Sequence, residues 1–67
     1  MQYYYNAAEK TLYRFIDTPR VSSVGEVLQY DGKWGRTDTA AGEVLFDGGP
    51  RLISEAEAQK IIAEKAG

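Results

Sequence analysis

The chain has 67 residues, 43% of them apolar or aromatic, with 8 Lys and Arg against 10 Asp and Glu for a net charge of −2, and it contains neither cysteine nor histidine. This length holds one small domain, and the composition is that of a globular chain rather than a disordered one. It excludes a disulfide, a Cys/His zinc site, imidazole or thiol chemistry and a run of 18 apolar residues to span a bilayer.

Met1–Asn6 lacks the basic, leucine-rich character of a secretory leader, and the absence of cysteine fits a reducing compartment, so the expected location is the cytoplasm, the host's if the chain is phage-encoded. Gln2–Asn6 carries three consecutive tyrosines, and Thr11–Asp17 reads Thr-Leu-Tyr-Arg-Phe-Ile-Asp. Both favour strand. Asn6-Ala7-Ala8-Glu9-Lys10 between them has the length of a four- or five-residue hairpin loop, which gives a first hairpin over 2–17. Alternation then predicts Tyr3, Tyr5, Tyr13 and Phe15 on one core face, with Tyr4 and Arg14 pointing the other way.

Asp17-Thr18-Pro19-Arg20 ends that hairpin. Val24–Tyr30 and Lys33–Thr37 flank Asp31-Gly32, which predicts a second hairpin over 24–37 closed by a type I′ turn with positive φ at both turn residues. Asp38–Gly42 reads as a mobile loop. Residues 43–46 read as a short strand or extended connector, closed by Asp47-Gly48-Gly49-Pro50.

Ser54-Glu55-Ala56-Glu57 matches a capping box, and Ile53 and Ala58 hold the positions of a hydrophobic staple. Ala58, Ile61, Ile62 and Lys65 or Ala66 recur at helical spacing, which predicts a helix over 54–66. About 12 residues of isolated helix are marginal in water, so the Ile61/Ile62 stripe must pack on the sheet. The expectation is a single α+β domain over 1–67: an antiparallel sheet of about four strands with one C-terminal helix on one face.

In this order, Tyr3-Tyr4-Tyr5-Asn6, Leu12-Tyr13-Arg14, Asp31-Gly32-Lys33-Trp34 and Ile53-Ser54-Glu55-Ala56-Glu57-Ala58, the chain resembles short uncharacterised proteins of bacteriophages, prophages and their bacterial hosts. The resemblance spans most of the chain and carries no motif of assigned activity. It implies a setting, in which small phage-type proteins bind and block a larger host machine, immune nucleases such as a CRISPR effector included.

Each remaining polar group has a structural explanation. Ser54 caps the helix, Ser22-Ser23 solvate a loop, Asp31 and Asp47 stand at glycine turns, and Glu55 and Glu57 face a helix N-terminus. Trp34 stands where a phosphate loop around Gly32-Lys33 needs Ser or Thr, and the region from Asp31 to Glu43 misses the calcium-loop pattern. The sequence therefore predicts no catalytic residue, no cofactor and no metal site, and a chain that is not an enzyme.

One short helix cannot cover all the aromatic rings. Tyr4, Arg14, Tyr30, Trp34 and Arg36 are the candidate partner-binding residues, with Tyr4, Arg14 and whichever of Tyr30 or Trp34 points outward on the sheet face away from the helix, because Tyr, Trp and Arg dominate interface hot spots. The leading reading is a non-enzymatic protein-binding module that modulates or inhibits a larger host complex. A second reading makes the same aromatics, with Arg14, Lys33 and Arg36, a stacking platform for single-stranded nucleic acid, although acids interleave with the bases and dilute the basic field. A third is a small structural or self-assembling protein, with an edge strand pairing two copies into a homodimer.

Overall fold

The computed structural model describes residues 1–66, without the side chain of Ala66; Gly67, the last residue of the expected domain, and Ala66 as a member of the helix stripe lie outside it. Strands β1 (Gln2–Asn6), β2 (Thr11–Phe15), β3 (Gly25–Leu28), β4 (Trp34–Thr37) and β5 (Arg51–Ile53) form one antiparallel sheet in the order β4-β3-β2-β1-β5. Helix α1 (Ala40–Gly42) runs into a π-helical turn over Glu43–Asp47, and α2 spans Glu55–Ala66. The α+β class is as the sequence predicts; hairpins and a terminal helix form in the expected segments, with β2 ending at Phe15 rather than Asp17 and β3 confined to Gly25–Leu28 rather than Val24–Tyr30. The sheet has five strands rather than about four, because Arg51-Leu52-Ile53, too short to show a period of two, pairs with β1.

The first hairpin differs from expectation by one residue of register, and the consequence reaches every side chain. A four-residue loop, Ala7–Lys10, closes on the Asn6/Thr11 pair. Asn6 holds that loop in two ways: its Oδ1 accepts from the Glu9 amide at 3.1 Å and its Nδ2 donates to Glu9 Oε1 at 3.1 Å, while Lys10 turns the chain at φ 53°. Tyr3 therefore opposes Arg14, Tyr4 opposes Tyr13 and Tyr5 opposes Leu12. Directly opposed residues share a face, so the four rings expected together are split between the two faces, and Tyr4 and Arg14 lie on opposite sides.

Both faces are covered. On one, Tyr3, Leu12 and Leu28 pack with Ala58 of α2, and Tyr5, Trp34, Ile53, Ile61 and Ile62 complete the cluster. On the other, Tyr13 and Phe15 pack against Ala40 and Ala41, with Tyr4, Val27 and Val44 around them. The segment expected as a mobile loop and short strand (38–46) is thus a cover. Ala40 and Ala41 are fully buried, and their lack of side-chain bulk lets the helical backbone approach the sheet. Gly48, at φ 71°, ends the π turn.

Tyr13 fastens this cover by donating its hydroxyl to Glu43 Oε2 at 2.7 Å. Burial first, then the adjacent carboxylate, pushes the Tyr13 hydroxyl above its ordinary value of 10.0. The folded form therefore holds this proton more tightly than the unfolded chain. Its contribution is complete below the ordinary tyrosine range and declines as pH rises beyond it. Melting temperatures taken from neutral to strongly alkaline pH should fall more steeply for the native chain than for Tyr13→Phe, which lacks this hydroxyl. Equal slopes would contradict the assignment.

The second hairpin closes by a different turn from the one expected. Gly32 donates to the Gln29 carbonyl at 2.9 Å and Gln29 donates to the Lys33 carbonyl at 2.8 Å. Gly32 alone of the turn residues has positive φ, at 85°. This is the three-residue loop, a type I turn followed by a left-handed glycine, rather than the two-residue type I′ form. Asp31 accepts from the Lys33 amide at 3.0 Å instead of occupying a left-handed position.

At the start of α2 the Glu57 amide donates to Ser54 Oγ at 3.1 Å, as the capping box predicts. The Glu57 carboxylate accepts from the Ser54 hydroxyl at 3.3 Å, so the reach back is to the side chain.

Candidate functional site

In an antiparallel sheet the start of β1, the end of β2, the start of β3 and the end of β4 meet at one end. Here that end carries aliphatic side chains that neither cover reaches. Ile16, just past the last residue of β2, is 80% exposed, and Met1 and Val24 are 60% and 50% exposed. They border a groove of about 210 Å³ between the ends of β2 and β3, walled by Arg14, Glu26 and Arg36. A smaller depression of about 170 Å³ and a broader polar one of about 710 Å³, reaching Thr18 and Arg20, adjoin it. Ile16 borders all three.

Hydrogen bonds organise the loop that follows Ile16. Gln2 Nε2 donates to Thr18 Oγ1 at 3.2 Å, and Pro19 is buried. The Arg20 amide donates to Ser23 Oγ at 2.8 Å and the Ser23 amide to the Arg20 carbonyl at 2.9 Å. Ile16 is thus exposed between the end of β2 and a hydrogen-bonded loop.

The sheet register sets the polar wall. Arg14 opposes Glu26, and Glu26 opposes Arg36, so the three stand in one row across β2, β3 and β4. Arg14 Nε donates to Glu26 Oε1 at 2.7 Å, and its guanidinium lies 3.9 Å above the Trp34 ring. Charge pairing from one side and the ring face from the other fix the guanidinium in place. Arg36 Nε donates to Asp38 Oδ1 at 3.3 Å, just past the end of β4. Among the described residues each guanidinium is engaged through Nε alone, which leaves the Nη donors for acceptors outside the molecule.

The five residues singled out from sequence fall into four places. Arg14 and Arg36 line the groove. Trp34 lies half-buried on the α2 face, 6.5 Å from the Tyr3 ring, and supports Arg14 from beneath. Tyr4 lies on the opposite face, edge-on to Phe15 at 5.8 Å and donating to Gln2 Oε1 at 3.2 Å. Tyr30, 94% exposed, tips the β3–β4 turn at the far end of the sheet. The expectation that the face away from the helix offers Tyr4, Arg14 and one of Tyr30 and Trp34 is therefore corrected: Arg14 and Trp34 are on the helix face, and the opposite face is covered by α1. The stacking surface imagined from Tyr4, Tyr30 and Trp34 is not brought together.

Sequence reasoning passed over Met1, Ile16 and Val24. The available signal was an isoleucine immediately before Asp17-Thr18-Pro19, an apolar residue at a strand end with no room to continue the strand. Among the described residues no group of three or more Asp, Glu, His or Cys side chains could hold a metal ion, and no helix is long and apolar enough to cross a membrane.

No protein-family model matches the chain, and neither a curated protein nor a solved structure shows significant similarity to it.

Proposed function

We propose that the chain is a non-enzymatic protein-binding module whose docking surface is the groove at the Met1/Ile16/Val24 end of the sheet. The observation that carries this reading is the coincidence of exposed aliphatic side chains with two arginines beside them, Arg14 held between Glu26 and the Trp34 ring and Arg36 exposed and paired with Asp38. An apolar side chain of a partner fills the groove, and a carboxylate or backbone carbonyl flanking it meets the Nη groups of Arg14 and Arg36. In the setting that the resemblance to phage-type proteins implies, the partner is a larger host complex, an immune nuclease being one candidate, and binding inhibits it by occupying a working surface.

Ile16→Asp tests this directly. With its side chain so exposed, the substitution should leave stability within about 0.5 kcal/mol of the native chain. In affinity capture from nuclease-treated bacterial lysate at low and high salt, the native chain should retain a stoichiometric protein partner, and Ile16→Asp should reduce that capture at least tenfold. Leu52→Asp, at an exposed apolar residue of β5, should capture normally. Loss in both variants, or in neither, would contradict the groove. Capture that collapses on nuclease or salt treatment would favour nucleic acid instead.

A further inference from the structure

The sheet has two free edges, and they are not equivalent. The β5 edge is three residues long and follows directly on Pro50, which has no amide hydrogen. Short length and proline are the devices by which sheets guard an edge. The β4 edge has four residues and no proline. Its one charged side chain, Arg36, is paired with Asp38, the residue that follows the strand, at 3.3 Å.

The hydrogen-bond parity of β4 follows from the hairpin turn. Gln29 donates to the Lys33 carbonyl at 2.8 Å, so Gln29/Lys33 is a hydrogen-bonded pair. Such pairs alternate along an antiparallel ladder. Val27/Gly35 and Gly25/Thr37 are then hydrogen-bonded, and the amides and carbonyls of Trp34 and Arg36 point away from β3.

We propose that β4 pairs antiparallel with β4 of a second copy, joining two sheets about a two-fold axis at Gly35. Opposed residues must share a face, so the axis passes through a residue, and the interior residues of β4 are Gly35 and Arg36. An axis at Arg36 sets two like charges directly opposite one another, which is destabilising. An axis at Gly35 sets Arg36 of each copy opposite Trp34 of the other. It also uses the outward amides and carbonyls of both residues in four N–H···O bonds. Gly35 then falls at the close, non-hydrogen-bonded position, where opposed Cα atoms lie about 4.5 Å apart. The pairing rests on backbone groups of β4 and stands or falls separately from the groove reading.

Sedimentation velocity from micromolar to millimolar concentration should show a monomer–dimer equilibrium in the native chain. Arg36→Pro removes an outward amide that takes no part in the β3 ladder. By symmetry it acts twice, so it should weaken association more than tenfold while circular dichroism stays native. Because the chain has no cysteine, Gly35→Cys supplies a second test that does not depend on that variant folding. A Cβ at Gly35 meets the flexible end of the Gln29 side chain, which can move aside. Oxidised Gly35→Cys should run as a covalent dimer, and Tyr30→Cys, at the exposed far turn, should remain monomeric under the same conditions. A native chain that is monomeric at every concentration, equal cross-linking at both positions, or a dimer unaffected in folded Arg36→Pro would each overturn the proposal.

Discussion

Ala41→Asp is expected to unfold the protein. Ala41 is fully buried where α1 meets Tyr13 and Phe15, and no cation among the described residues of that cluster is placed to pair with a carboxylate there. An uncompensated buried charge costs about 3–5 kcal/mol. A core below about 70 residues rarely supplies more than that in total. Circular dichroism should therefore show loss of the native spectrum and of a cooperative melt. Ala7→Asp, in the exposed β1–β2 loop, should melt like the native chain. A native melt for Ala41→Asp would mean that the second face of the sheet is open and that the cover formed by 40–47 is not packed.

The second large effect is at Gly25. It opposes Phe15 across the β2–β3 ladder, and a Cβ placed on it would lie 2.5 Å from Phe15 Cε1 and 2.9 Å from Cζ. The ring cannot retreat, being buried between Tyr4 and the α1 alanines. Overpacking of this kind costs roughly 1–3 kcal/mol, and a branched side chain stands at the upper end. Gly25→Val should thus lower the urea midpoint substantially. Gly25→Ala combined with Phe15→Leu should recover part of what each loses alone, a coupling that distant residues would not show. Strict additivity of the two changes would contradict the contact.

What could be read from the sequence follows the range of the signals. The capping box at Ser54, the proline break at Pro19 and the glycine turn at Gly32 act over four or five residues, and each marks a real boundary. The register of the first hairpin turns on whether a loop holds four residues or five, and no residue between Asn6 and Thr11 announces which. That one residue decides whether Tyr3 sits with Phe15 or with Arg14, and hence which rings meet. Ala40-Ala41-Gly42 looks like a flexible loop because small residues are its only local feature. Their smallness instead serves the close approach of a helical turn to Tyr13 and Phe15, a tertiary requirement that leaves no local mark. Likewise β5 is defined by its pairing with β1, not by its own three residues.

The candidate site divides the same way. Arg14 and Arg36 were accessible because their residue type is informative in itself. Ile16 was not, because an isoleucine declares itself as a docking residue only when the fold fails to bury it. Of the chain's four isoleucines, Ile53, Ile61 and Ile62 pack with the α2 cluster and Ile16 alone is exposed. Phe46 and Leu52 are also exposed, but they do not border the groove.

This difference makes the isoleucine methyl groups a direct test of the docking surface. In a chain labelled at the isoleucine δ1 methyls and titrated with the captured partner, four signals are followed. The Ile16 signal should shift or broaden strongly at substoichiometric partner, while those of Ile53, Ile61 and Ile62 stay close to their free positions. An unmoved Ile16 signal in a saturated complex would place the partner elsewhere on the molecule and contradict the account.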